Sequence, residues 1–273
     1  ATANRKLFFL GPAIAMTTAL LTGVVIPWGG TLEVFGTTIN LQGTDPEIGI
    51  LYVFAILSIG VYGIMLGGWA SNNKFALLGA IRAASQMVSY ELAMGMSVVA
   101  LVMLTGTLSL SGIVEYQIAT HWGVVQQPLG FLLFLICAFA EANRAPFDMP
   151  ECETELVGGY HTEYSSMKLG FFLFAEYTNM FMSSAVIATL YFGGYDIPGI
   201  HSLGWDPNIV TILGMIAMFA KTFFFIFFFM WVRWSVPRFR FDQLMNLGWK
   251  TLIPLAILNI LLTGGWLVFK NGF

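Results

Sequence analysis

Charged side chains are scarce in this sequence. They make up 10% of its 273 residues, whereas a soluble domain carries about 25%. Hydrophobic residues reach 57%, and the mean hydropathy is +0.77. This composition argues against an ordinary soluble domain and indicates a membrane protein. The net charge of −3 is small, and no basic patch with interleaved aromatic residues is present, so the sequence does not predict a nucleic-acid partner.

Cysteine and histidine are equally rare. Cys137 falls in a predicted helix and Cys152 in a loop, so neither favours a disulfide, and no CxxC pair is present to hold zinc or an iron–sulfur cluster. The histidines, His121, His161 and His201, all fall in loops, which argues against a b-type haem between spans. A GxxxxGK[ST] phosphate loop is also absent. We therefore expect this chain to bind no metal and no redox cofactor.

Long apolar runs, in contrast, are abundant. A helix needs about 20 apolar residues to cross a bilayer, and seven runs approach or exceed that length. They are helix-length and lack the alternation of membrane strands. The sequence therefore predicts an all-α, polytopic transmembrane helix bundle that forms a single membrane domain over residues 1–273. The seven predicted spans lie near 6–28, 48–69, 76–107, 128–142, 167–192, 208–232 and 249–269.

Lysine and arginine indicate how the bundle is oriented, because cytoplasmic loops are enriched in them. When the seven spans are threaded through a membrane, only Lys270 lies on one side and Lys221 lies within a span. We expect the other side to be cytoplasmic and the membrane to be a cell inner membrane. That side carries Arg5, Lys6, Lys74, Arg82, Arg144, Lys168, Arg233, Arg238, Arg240 and Lys250.

A few charges fall inside the predicted spans, where each costs roughly 2.5–3.5 kcal/mol even on a lenient scale. Glu91, Glu176 and Lys221 lie well within spans, and Glu141 closes the fourth. Desolvation disfavours the charged form of such groups, so we predict that these four residues form a proton relay. The alternative is a structural ion pair between Glu176 and Lys221. Arg82 precedes Glu91 by nine residues and is expected to face the opposite side of the same helix.

A short segment, 143–166, contains five acids and is predicted to face the cytoplasm. Its apolar and aromatic residues, such as Phe147 and Tyr160, suggest that it folds against the bundle or against a partner. The alternative is an ordinary solvated loop. Closely spaced acids repel one another, so at least one is expected to stay protonated. The charged residues of this acidic loop are Arg144, Asp148, Glu151, Glu153, Glu155 and Glu163.

Three long motifs carry a family resemblance. In the order of the chain they are "GWASNNKFALLGAIRAASQMVSYELAMG", "EANRAPFDMPECETELVGGYHTEYSSMK" and "PRFRFDQLMNLGWKTLIPL". In this order they resemble the H-type membrane subunits of bacterial complex I, the proton-pumping NADH:quinone oxidoreductase, and are similar to mitochondrial subunit 1. The resemblance covers nearly the whole chain. It implies a subunit that forms much of the quinone chamber, anchors the peripheral arm and starts a hydrated path toward the pumping subunits.

The resemblance also implies roles for individual residues. It places Glu141 and the acids of the acidic loop beside the quinone chamber, and it matches Glu91 and Glu176 to intramembrane carboxylates, with Arg82 and Arg144 as basic residues near them. The implied substrate is a quinone. NADH, FMN and the iron–sulfur clusters would belong to partner subunits, and the implied partners are other membrane and peripheral subunits and the lipid bilayer. Tyr160 and His161 are expected to be structural.

Two departures from the family pattern are visible. Family members open with one more helix and a basic loop containing "GPNRVG", so the parent protein is expected to have eight helices. Some relatives also carry a carboxylate where this chain has Ser58. Two alternative functions stay open. One is the equivalent subunit of a membrane-bound hydrogenase-type complex, which co-purified partners would reveal. The other is a stand-alone ion-coupled transporter, although we find no internal repeat or broken helix of that kind.

Overall fold

The computed structural model describes residues 4–149, 157–200 and 205–271, and it is 74% helical. The predicted helical class is therefore confirmed. A 3₁₀ turn (Gly159–His161) lies before α7, and a π-helical turn (Leu247–Leu252) joins the last two helices. The helices are α1 (Arg5–Thr22), α2 (Gly49–Ala70), α3 (Lys74–Thr105), α4 (Leu110–Ala119), α5 (Gly123–Gln126), α6 (Pro128–Glu141), α7 (Ser166–Tyr191), α8 (Pro207–Ser235), α9 (Phe241–Asn246) and α10 (Ile253–Asn271).

Local capping residues explain where the long helix α3 begins and ends. The Asn73 side chain accepts a hydrogen bond from the Phe75 amide at 3.1 Å, which satisfies a donor of the first turn. Gly106 then stops the helix in the left-handed region, at φ 71°. The next helix, α4, starts soon afterwards with Ser109 as its cap. Short polar residues thus set these boundaries between apolar segments.

The connection between α1 and α2 contains a small β-hairpin, which the apolar pattern of the sequence did not predict. Strand β1 (Thr31–Val34) pairs antiparallel with β2 (Thr37–Asn40). Phe35 and Gly36 form the turn with φ of 50° and 81°, which is the geometry that matches the twist of paired strands. The β-branched residues around the turn favour this extended pairing.

Glycines allow α1 and α2 to pack at close range. A Cβ on Gly63 would lie 3.0 Å from the backbone nitrogen of Ala15, and one on Gly11 would lie 3.0 Å from the Cα of Gly67. Gly63 and Gly67 are four residues apart on α2, a pattern of small residues that favours such close packing. Helix α1 also packs against α7, while α3 packs against α2, α6 and α10.

The number of membrane spans is only partly determined. Among the described residues, five helical segments are long and apolar enough to cross a membrane: Gly49–Ala70, Lys74–Thr105, Ser166–Tyr191, Pro207–Ser235 and Phe241–Lys270. The other two predicted spans are helical but shorter. Helix α6, with 14 residues, reaches ~21 Å, which is less than a hydrocarbon core of ~30 Å. The predicted count of seven spans therefore stays a prediction.

Candidate functional site

A buried ion pair lies where the acidic loop meets the bundle. Arg144, just after α6, and Glu176, on α7, approach to 3.3 Å, and their side chains are only 5% and 8% exposed. The Arg144 guanidinium also lies 4.4 Å from the centre of the Tyr177 ring. Both charges are largely removed from water, so each depends on the other for its stability in the fold.

Glu176 and Glu141 line the same small cavity between α1, α2, α3, α6 and α7. The cavity measures about 30 Å³ and is bordered by the polar side chains of Asn143, Tyr160 and Asn179. A space of this size accommodates about two water molecules. Glu141 is 4% exposed and Glu176 is 7% exposed. The geometry therefore allows water to connect two carboxylates that lie on different helices.

Glu91 extends this group of acids along α3. Its carboxylate accepts a hydrogen bond from the Ser58 hydroxyl on α2. Met87, one helical turn before Glu91 on α3, lines the cavity that Glu141 and Glu176 share. Glu91, Glu141 and Glu176 therefore form one cluster, which we call the glutamate cluster.

Gln86, on α3, holds the start of the acidic loop against that helix. Its side-chain amide nitrogen donates to the carbonyl oxygens of Ala140, at 2.9 Å, and Phe147, at 2.7 Å. Gln86 is fully buried. Phe147 in turn packs against the Tyr90 ring at 5.4 Å and the Phe239 ring at 5.6 Å. The described start of the loop, 143–149, is thereby held against the bundle, as its apolar residues predict.

Asp148 connects the loop to the segment between α8 and α9. Its carboxylate lies 3.7 Å from the Arg238 guanidinium, which also donates to the Asp148 carbonyl oxygen. One residue further on, the Phe239 amide donates to the Pro146 carbonyl oxygen at 3.2 Å. The acidic loop and the segment between α8 and α9, which are far apart in the sequence, therefore contact each other beside the glutamate cluster.

The end of the acidic loop packs back onto α1 and α2. The Tyr164 hydroxyl donates to the carbonyl oxygens of Phe8, at 3.1 Å, and Gly67, at 3.3 Å. Its ring stacks on the Phe8 ring with centres 4.0 Å apart. Burial raises the pKa of the Tyr164 phenol, which keeps the hydroxyl protonated as a donor. The nearby Glu163 is exposed and accepts from the Asn73 side chain at 2.8 Å.

The described loop segments, 143–149 and 157–166, are thus tied to the bundle rather than solvated. Three predicted acids, Glu151, Glu153 and Glu155, lie outside the described residues. Arg82 is half-buried and lies 5.9 Å from the Phe241 ring of α9, whereas Glu91 faces α2. The prediction that Arg82 and Glu91 face opposite sides of α3 is therefore confirmed.

Lys221 does not join the glutamate cluster. Its ammonium donates to the carbonyl oxygens of Phe192, Gly194 and Asp196 at 2.7, 2.8 and 2.5 Å. It also lies 4.9 Å from the Trp122 ring centre. Phe192 follows Glu176 by sixteen residues, which is about 24 Å along a helix. The alternative of a Glu176–Lys221 ion pair was therefore wrong, because Glu176 pairs with Arg144 and Lys221 binds the backbone that follows α7.

Sequence reasoning missed three polar residues at the site, namely Gln86, Asn143 and Asn179. Gln86 offered a signal, since it is an amide inside an apolar span and lies five residues before Glu91. Within 4–149, 157–200 and 205–271, no group of three or more histidine, cysteine, aspartate or glutamate residues is arranged to hold a metal ion. The chemistry that this arrangement can perform is proton exchange between buried carboxylates through water.

The fold and the site together define a polytopic helical membrane protein with a cluster of buried carboxylates beside an acidic loop. Comparison with known proteins gives the family. The family model described as NADH dehydrogenase matches residues 1–264, and the chain belongs to that family.

Several bacterial relatives are very similar to this chain, and all three described here are H-type subunits of NADH-quinone oxidoreductase. The first, from Cytophaga hutchinsonii, is 67% identical over 96% of this chain and 77% of the relative. The second, from Flavobacterium johnsoniae, is 63% identical over 96% of this chain and 76% of the relative. The third, from Protochlamydia amoebophila, is 47% identical over 94% of this chain and 75% of the relative.

Proposed function

We propose that this chain is the membrane subunit of a proton-translocating NADH:quinone oxidoreductase that forms the quinone chamber and couples quinone reduction to proton translocation. The observation that carries the proposal is the shared polar cavity of Glu141 and Glu176, with Glu176 held by Arg144 from the acidic loop. A loop that senses charge is thereby joined directly to buried acids. The names of the relatives support the quinone-using branch over a hydrogenase-type complex.

The proposed coupling is electrostatic. Reduction of a quinone takes up protons and alters the charge at the chamber wall, and the carboxylates of the acidic loop respond by changing protonation. Arg144 belongs to that loop and pairs with Glu176, so a charge change in the loop reaches Glu176 first. The water-sized cavity then connects Glu176 to Glu141, and Glu91 lies one turn of α3 beyond Met87, which lines the same cavity.

The strength of electrostatic interactions supports coupling between acids that lie close together. Two unit charges 4 Å apart interact by about 4 kcal/mol at an effective dielectric constant of ~20. That energy changes a protonation equilibrium by roughly a thousandfold. The interaction weakens with distance, so a series of closely spaced acids is required. Lys221 is left out of this relay because it binds carbonyl groups about 24 Å away along α7.

The same proposal predicts how the subunit is arranged in the membrane and in the complex. The chain forms one membrane domain with seven spans, in which α1 and α6 cross together with the five long segments. The basic side and the acidic loop face the cytoplasm of a bacterial cell, and the peripheral subunits that carry FMN and iron–sulfur clusters dock there. Quinone enters as substrate, and the remaining apolar surface contacts lipid and other membrane subunits. Exposed rings on α8, such as Phe223 and Phe227, support that environment.

The test is the pair of variants Glu141→Gln and Glu176→Gln in the assembled complex. Glutamine keeps the shape of glutamate but carries no exchangeable acid proton. We expect each variant to lower NADH:quinone oxidoreductase turnover and proton pumping together, by about tenfold or more. Turnover is measured in membranes, and pumping is measured in proteoliposomes with a pH-sensitive dye.

Glu115→Gln is the matched control, because Glu115 is an exposed acid on α4, away from the cluster. It should keep normal turnover and pumping. Reduction of an artificial acceptor by NADH should be unchanged in all three variants, which shows that the peripheral arm is assembled. Normal turnover with a normal ratio of protons to electrons in the two cluster variants would refute the proposal.

A further inference from the structure

A large crevice opens at the end of the bundle opposite the glutamate cluster. It has a volume of about 930 Å³ and lies between α4, the start of α6 and the end of α10. We call it the Lys270 crevice, after the residue at its mouth. Its volume falls in the range of known ligand pockets, which is about 300–1,000 Å³. The proposed function uses none of its residues.

The base of the crevice is rich in hydrogen-bond donors. Helix α6 begins there at Pro128 without a side-chain cap, so the first backbone amides and the helix dipole favour a negatively charged group. The start of α6 is held to α10, since the Gln127 side-chain amide donates to the Thr263 hydroxyl at 2.7 Å. This helix end is therefore a fixed part of the crevice wall.

Asn259 adds an independent observation. This α10 residue lines the crevice and is 5% exposed, yet its side-chain nitrogen has no hydrogen-bond partner among the described residues. It lies beside the first turn of α6, since a Cβ on Gly130 would be 3.2 Å from that nitrogen. A buried donor without a partner is unfavourable by about 1–3 kcal/mol. A ligand with acceptor oxygens at this place would remove that penalty.

The mouth of the crevice carries a cation, Lys270, which has the complementary sign for an anion. Lys270 and His121 both line the crevice and are exposed. Lys270 is also the one basic residue that the sequence places on this side of the membrane, where acids such as Glu115 otherwise dominate. Both the base and the mouth therefore attract negative charge.

Part of the remaining wall is apolar and exposed. Leu262 and Trp266 line the crevice and are each 62% exposed. Tryptophan is enriched at the membrane interface, and a leucine surface suits acyl chains. The crevice thus combines an anion site with a surface for hydrocarbon. These two features are complementary to the anionic headgroup and the acyl chains of a phospholipid.

We propose that the Lys270 crevice binds an anionic phospholipid of the surrounding membrane. The phosphodiester oxygens accept from the Asn259 side chain and the first turn of α6, while Lys270 balances the headgroup charge and the acyl chains lie over Leu262 and Trp266. A soluble phosphate would gain nothing from the apolar wall. A neighbouring apolar helix would leave the donors at the base unsatisfied.

The test measures lipid retention by the complete purified complex. The complex is delipidated in detergent and then placed in phosphatidylcholine nanodiscs that contain a minor fraction of phosphatidylglycerol. Bound lipid is identified by native mass spectrometry. We expect one phosphatidylglycerol to be retained with this subunit in preference to phosphatidylcholine. Asn259→Asp keeps the shape of the side chain but adds a negative charge at the base, and it should weaken retention by about tenfold, the factor that 1.4 kcal/mol represents.

Lys270→Gln, an exposed substitution that does not threaten folding, should also reduce retention. Lys250→Gln is the control, because Lys250 is exposed in the π-helical turn at the other end of the same helical segment. Inorganic phosphate added in excess should not displace the lipid. Equal retention of phosphatidylcholine, displacement by inorganic phosphate, insensitivity to Lys270→Gln, or a helix of another subunit seated in the crevice would each overturn the proposal.

Discussion

Arg144 and Glu176 bring opposite charges together in a nearly dry environment. Each is more than nine-tenths buried, so the pair has lost most of its hydration and regains part of that energy through mutual attraction. Such pairs contribute little net stability compared with apolar residues of the same shape, but removing one partner is strongly destabilising. We interpret the pair as a functional feature, because it places a loop charge next to a carboxylate that can exchange protons.

This interpretation predicts a difference between single and double substitutions. Glu176→Leu should destabilise the assembled subunit by about 3–5 kcal/mol, because Arg144 would be left charged and buried. The double variant Arg144→Met with Glu176→Leu should recover most of that stability while quinone reductase activity stays low. Stability is measured by thermal unfolding of the purified complex. A double variant that is no more stable than the single one would contradict the prediction.

A second prediction at this scale concerns how the contribution of Tyr164 to stability depends on pH. Burial raises the pKa of its phenol above the usual value of about 10. The folded protein therefore holds this proton at pH values where the unfolded chain has lost it, so its contribution to stability is present below pH ~10 and decreases as the pH rises further. Hydrogen exchange of residues 157–165, corrected for the base-catalysed exchange of an unstructured peptide at the same pH, should therefore accelerate above pH ~10 in the wild type.

Tyr164→Phe removes the titrating group and isolates the cause. The variant loses the single hydroxyl proton that lies between the Phe8 and Gly67 carbonyl oxygens, so exchange in the loop should be faster at neutral pH, by a free energy of about 1 kcal/mol. The additional acceleration above pH ~10 should be smaller than in the wild type. An identical alkaline acceleration in both proteins would exclude Tyr164 as its source.

At the scale of elements, the apolar runs predicted the long helices well. The predicted spans 76–107 and 167–192 differ by two residues or fewer at each end from Lys74–Thr105 and Ser166–Tyr191. Short elements were missed. Helix α4 has only 10 residues and the hairpin strands have 4 each, so their patterns are too brief to separate from loops. Their existence depends on contacts with the bundle that a linear pattern does not contain.

The contact between α1 and α2 offers a matched test of helix packing. Gly63→Ala would bring a Cβ within 3.0 Å of the Ala15 backbone, whereas Gly95→Ala in α3 meets nothing within 4 Å. Alanine favours a helix over glycine by about 1 kcal/mol. We therefore expect Gly95→Ala to be neutral or stabilising and Gly63→Ala to destabilise, as measured by thermal unfolding. Equal effects of the two substitutions would show that the close approach has no energetic role.

At the scale of the whole molecule, the sequence predicted which acids lie inside the bundle but not how they are partnered. Burial of Glu141 and Glu176 follows from the cost of charges in apolar spans. Their shared cavity, the Arg144 partner and the clamp formed by Gln86 depend on how α3, α6 and α7 pack, and residues from distant parts of the chain create them. The same cost led to the prediction that Lys221 belongs to the relay. Its charge is instead satisfied by backbone carbonyl groups, so an intramembrane charge does not by itself identify a relay residue.

The two ends of the bundle carry different polar features. One end holds the glutamate cluster and the acidic loop, and the other holds the Lys270 crevice. The central claim concerns the first end, namely that carboxylates kept out of bulk water change protonation when a neighbouring quinone is reduced. Glu141 and Glu176 are the two residues through which this claim is tested, because they line one cavity.

The most direct measurement is infrared difference spectroscopy of the assembled complex, with and without reduction of bound quinone. We predict a difference band in the carboxyl C=O stretching region, which reports protonated acids, and its loss or reduction in Glu141→Gln and Glu176→Gln but not in Glu115→Gln. Spectra in which no carboxyl group changes protonation during quinone reduction would contradict the coupling mechanism.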